Sequence, residues 1–201
     1  MLDRHPDPLT ASDTPLTRVL QLQCRALAAV PHEFRAVGTW LNYDCALLPH
    51  LEAEEDRARG LEDMERARAG LEGVMRFFDD AVTIPEYDPN ALAWFRACLE
   101  RAPHGSEPFR KTANMLFRMH DTARNHGHMD GAVHRDISHY IISVLAPEIV
   151  ALLDILNAEV EAQEQSRIRY AETMRAKADQ AVAEIQSVSK MVRLISLTAS
   201  V

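Results

Sequence analysis

The chain has 201 residues, 47 % hydrophobic and 26 % charged, with a formal net charge of −8 at pH 7. This composition suits one well-buried domain plus an extended element, and it excludes wholesale disorder. The acidic balance argues against a nucleic-acid surface, because phosphate binding needs clustered Lys and Arg.

Residues 1–13 are polar and proline-spotted and read as a flexible arm with no apolar leader run. Thr14 and Pro15 form a cap-plus-proline helix start. Leu16, Leu20, Gln23, Leu27 and Val30 follow at helical spacing until Pro31 stops the run. Phe34, Val37, Leu41 and Cys45 predict a second helix ending near Pro49. A third begins near Leu51, with Leu61, Met64, Leu71, Val74 and Phe78 expected on one buried face. Gly70 and Gly73 either weaken it or admit a close neighbour. The mixed charges EEDR at 54–57 and ERAR at 65–68 describe a solvated helix face.

A loop with Pro85 leads to Asp88 and Pro89, a second cap-plus-proline start for a short helix through Trp94, Cys98 and Leu99. A turn at residues 103–106 precedes a helix with Pro108 just inside it and Phe109, Ala113, Leu116, Phe117 and His120 on its buried face. Residues 125–131 read as a glycine-bounded loop.

From Ala132 onward the pattern is helical to the end, with a kink expected at Pro147 and packing on the bundle expected to about Val160. The apolar stretch 137–156 is interrupted by Pro147, Glu148 and Asp154, so no membrane insertion is expected. Cys24, Cys45 and Cys98 are odd in number and lack CxxC spacing, which suits buried reduced thiols in a cytoplasmic protein. No segment sustains a two-residue alternation. The fold class is therefore all-α: a bundle of five to six helices over residues 14–160, then a long coiled-coil-like helix over 161–201.

That last helix carries a heptad pattern. Ala171, Ala178, Ile185, Val192 and Ala199 occupy one core position, and Met174, Ala181, Val188 and Ile195 the other. Small residues allow close helix approach but bury little area, so packing among four helices from several chains or hairpins is expected. The pattern runs on to residue 201 with no capping residue, as if the helix continued or were completed by a partner. An exposed apolar stripe of this length predicts a homodimer.

The segment 193–201, RLISLTASV, resembles the descending helix of the methyl-accepting chemotaxis receptor signalling domain. In that family a run such as LISLNASV is followed by EAARAG and a glycine-containing hairpin. Ile185 and Val188 match the family's apolar spacing. Thr198 stands where asparagine is usual, and Lys190, Met191 and Val192 replace a common polar Gln-Thr pair. The likeness covers residues 185–201, about a twelfth of the chain. It implies a soluble chemoreceptor-like protein, residues 14–160 in the place of a sensory module, and a parallel dimer. In that family the kinase and adaptor contacts lie in the hairpin region, beyond the matched residues. Glu164, Gln165 and Ser166 approach the family's methylated pairs, but Ile168 stands where a small residue is required.

Two other readings accompany this one. The alanine-rich helices also suit a non-enzymatic, phasin-like scaffold. Five of the nine histidines lie between His120 and His139, which raises a metal- or haem-binding helical protein. Against it, His134 and His139 diverge by about 140° on a helix, and no HxxxH, HExxH or ExxH motif occurs. His126, His128 and Asp130 could clamp a cation only with help from elsewhere. No phosphate loop, nucleophile elbow or carboxylate pair emerges, so neither catalysis nor a cofactor is expected.

Overall fold

A computed structural model of the chain describes residues 18–126 and 131–198, with side chains up to residue 193 in the last helix. Among the described residues seven α-helices follow in order: α1 Arg18–Leu27, α2 Val30–Leu47, α3 Glu54–Met75, α4 Pro89–Arg101, α5 Glu107–His126, α6 Gly131–Tyr140 and α7 Ala146–Thr198. Short 3-10 turns follow α2 and α3, and a π-helical segment, Ile141–Leu145, joins α6 to α7. There is no strand among the described residues. The fold is all-α, with α1–α5 and the first half of the joined α6–α7 helix making the bundle.

Local chemistry explains the helix boundaries. Pro31 lies in the first turn of α2, where its missing N–H is harmless, so it opens that helix at the point where α1 has ended. Asp88 is extended, and its Oδ1 accepts a 2.8 Å hydrogen bond from Asn90 N ahead of Pro89, as the cap-plus-proline pattern predicts. Gly105 turns the chain between α4 and α5 at φ +57°, a conformation that favours glycine. At Gly70 the α3 backbone meets α2 closely: a Cβ there would lie 3.2 Å from Val37 Cγ1. Gly73 has open space instead, and nothing in the packing requires it.

The centre is aromatic. Phe34, Phe78, Phe95 and Phe109 are fully buried, with Phe78 and Phe109 stacked at 4.3 Å and Phe34 edge-on to both. Met64, Leu71 and Val74 bring α3 into this core, as expected, but Leu61 is 37 % exposed. It lies one turn before Met64, on the open side facing Arg124 rather than the core. Phe117 is half-buried, under the Arg68 guanidinium.

Pro147 does not sharply break the long helix. The Ala146 N–H reaches back five residues to the Ile141 carbonyl, giving one wide turn ahead of the proline. In an undistorted helix the ring would crowd the carbonyl four residues earlier, and the wider turn relieves this. Ser143 Oγ donates to the His139 carbonyl at 2.6 Å within the same stretch. From the end of that stretch onward, Leu145, Ile149, Leu152 and Leu156 are buried and Val160 packs at the edge, so the helix stays on the bundle. Ion pairs Arg101–Glu159 and Arg25–Glu164 are its last fastenings.

The helix Gly131–Arg193 also contains an 18-residue window of mean hydropathy 1.9, long and apolar enough to cross a membrane by length and composition. The interruptions at Pro147, Glu148 and Asp154 thus do not make the stretch polar. In this fold 28 % of that window is buried.

Candidate functional site

Two features stand out from the bundle: the helix that leaves it and the histidines. Every residue from 165 to 193 is exposed. At 1.5 Å per residue the part beyond Glu164 projects about 50 Å. Of the expected seam, Ala171, Met174, Ala178, Ala181, Ile185, Val188 and Val192 are all exposed, Ile185 at 68 % and Val188 at 59 %. The side chain of Ile195 and the whole of Ala199 lie outside the described residues.

Four more apolar residues flank the seam, and the heptad reading missed them. Ile168 and Val182 fall just after the second core position, and Tyr170 and Met191 just before the first; all four are exposed. They broaden the exposed stripe beyond a two-residue seam. Their signal was in the sequence, as apolar residues at heptad positions next to the core.

The projecting helix differs from the rest in charge as well. Residues 165–193 carry six basic residues (Arg167, Arg169, Arg175, Lys177, Lys190 and Arg193) against the acids Glu172, Asp179 and Glu184. The acidity of the chain resides elsewhere.

Among the described residues the histidines do not converge. His120 is fully buried on α5, as expected, and its Nδ1 lies 2.8 Å from an Arg68 nitrogen and 3.2 Å from Asp121 Oδ1. Arg68 can only donate and the Asp121 carboxylate can only accept, so the role of Nδ1 follows the ring's tautomer; the other ring nitrogen is Nε2. That nitrogen faces Glu65 Oε1 at 3.4 Å without a hydrogen bond. Arg68 also binds Asp121 and Glu72, and Glu65 binds Arg124 at 2.9 Å. This network fastens α3 to α5. His134 Nδ1 lies 3.1 Å from Asn42 Oδ1, and His139 is exposed. His126 is exposed at the end of α5, while His128 and Asp130 lie outside the described residues. Among the described residues no group of three His, Cys, Asp or Glu side chains could hold a metal ion.

The three cysteines are buried and form no disulfide among the described residues. Burial, with the Asp44 carboxylate adding to it, pushes the Cys45 thiol up to about 12. Burial and Asp88 push Cys24 up to about 11. Such thiols are poor nucleophiles.

Sequence reading also missed a buried carboxylate. Glu148, 4 % exposed, accepts hydrogen bonds from His104 N at 2.9 Å and pairs with His104 Nδ1 at 2.9 Å. It ties the α4–α5 turn to the first turn of α7. An acid set between Pro147 and Ile149 in an apolar stretch was the available clue.

Comparison with protein-family models, with curated proteins and with solved structures gives no match.

Proposed function

We propose that the chain is a signal-transduction module of the chemoreceptor type, with a helical input bundle and an output helix that pairs with a second copy. One observation carries this reading: an apolar stripe on α7 stands free of its own bundle over residues 165–193. Exposed stripes of this length are a liability in water, and association of two copies removes them. The bundle is anchored to that helix by Glu148 and by Leu145, Ile149, Leu152 and Leu156, so a change in the bundle has a route into it. The RLISLTASV resemblance supports the same reading and adds a parallel orientation. No enzymatic role is proposed, and the reading places the protein in the cytoplasm.

Cysteine cross-linking tests the arrangement. In a parallel, in-register pair Val188→Cys faces its own copy and oxidises readily to a covalent dimer. Ala183→Cys, on the outer face, does not. Equal cross-linking at both positions, or at neither, would contradict the parallel seam.

A further inference from the structure

A second surface concerns the input region. A groove of about 570 Å³ runs along the first half of α5, bounded by the α4–α5 turn. His104, Arg110, Lys111 and Arg118 line it, with Asn114 between them and Glu107 as its acid. In a chain of net charge −8 this is a local concentration of positive charge. Arg118 makes no side-chain hydrogen bond or ion pair among the described residues. Arg110 uses one nitrogen on the Phe78 carbonyl at 2.9 Å, which fixes its guanidinium and leaves other donors free. Lys111 and Arg118 are two helical turns apart on one face, about 10 Å along the axis.

We infer that this groove binds a small organic or inorganic polyanion, with acidic groups spaced to reach both Lys111 and Arg118. The volume lies in the range of small-molecule sites and exceeds what a single chloride needs. Guanidinium and ammonium groups supply charge-assisted hydrogen bonds to carboxylate or phosphate oxygens.

Two groove residues touch the long helix, on either side of its π-helical segment. Lys111 Nζ lies over the Tyr140 ring, 4.6 Å from its centroid, just before that segment. His104 holds Glu148, just after it. An anion that recruits either side chain therefore acts on a contact flanking the wide turn, the least regular point of the helix. This deepens the sensory reading by naming a ligand class. Binding is measured separately from self-association, so either can fail alone.

The test is calorimetric titration of the full chain with citrate and with pyrophosphate, against sodium chloride at matched ionic strength. The site predicts saturable binding of at least one probe and none of chloride. Citrate alone indicates a polycarboxylate ligand, and pyrophosphate alone a phosphorylated one. Lys111→Gln with Arg118→Gln should weaken binding by roughly tenfold or more, since two charge-assisted contacts are lost. Arg118→Glu alone is the second variant, because its exposed, unpaired side chain can be changed without cost to folding. On binding, hydrogen exchange at residues 141–146 should slow or quicken relative to the chloride control. Absence of saturable binding, or undiminished binding by the folded variants, overturns the site. Binding with unchanged exchange at 141–146 overturns its link to the helix.

Discussion

Leu152 and Val188 lie on the same helix and have similar side chains, yet one is fully buried and the other 59 % exposed. The difference is in what surrounds them. Around Leu152, helices α1, α2 and α4 supply a core, and every apolar side chain turned that way is covered. Around Val188 there is only the helix itself. A sequence pattern states that a face is apolar; whether the cover comes from the same chain or from another is decided by which elements are at hand. The bundle has its own buried core, and the projecting helix has none over residues 165–193.

The largest expected effect separates the two regions by stability. Phe109→Ala removes a ring stacked on Phe78 and should cost about 3–5 kcal/mol in urea denaturation. Val188→Ala should leave the bundle transition within about 0.5 kcal/mol of the wild type. A comparable loss from both would mean that the helix folds back on the bundle.

Thiol chemistry sharpens the contrast. With Cys45 held at about 12 and Cys24 at about 11, the native protein should react very slowly with an aromatic disulfide reagent near neutral pH. A cysteine placed on the outer face, Ala183→Cys, should react at the rate of a free thiol. Fast labelling of the native cysteines would show that the bundle opens readily.

The smallest effect is a pH dependence confined to the bundle. The His120 ring and then the Arg68 guanidinium hold the Asp121 carboxyl below its usual range, against an opposing effect of burial. A depressed carboxyl stabilises the fold above the ordinary value of about 4 and loses that contribution as pH falls through its folded value. Asp121 is half-exposed, so the contribution is screened and small. Asp121→Asn should flatten this part of the acid limb of urea midpoints and leave dimerisation unchanged. An unaltered acid limb would remove the pair from the account of the α3–α5 contact.

Much of the fold was legible because its signals are local. Asp88 with Pro89, and the spacing of Phe34, Leu41 and Cys45, act within a few residues of themselves, and the structure follows them. Gly70 was legible as a choice between two meanings, and Val37 decides it. Leu61 misled because a helix face can be apolar beyond the edge of its neighbour. The wide turn before Pro147 was not legible in form, since a proline clash can be relieved by a kink or by a π turn. The α5 groove was hidden for a related reason. His104, Arg110, Lys111 and Arg118 form no motif in sequence, and only the turn and the helix bring them to one surface. The apolar heptad positions from Ala171 to Val192 were visible in the sequence, and the structure leaves them exposed.

The central claim is that the helix beyond Glu164 stands away from its bundle and pairs with a second copy. Light scattering on the full chain at tens of micromolar tests it most directly, with the Ile185→Lys, Val188→Lys double variant alongside. The expected result is a dimer for the wild type and a folded monomer with unchanged bundle stability for the variant. A monomeric wild type, or a variant that remains dimeric, would contradict it.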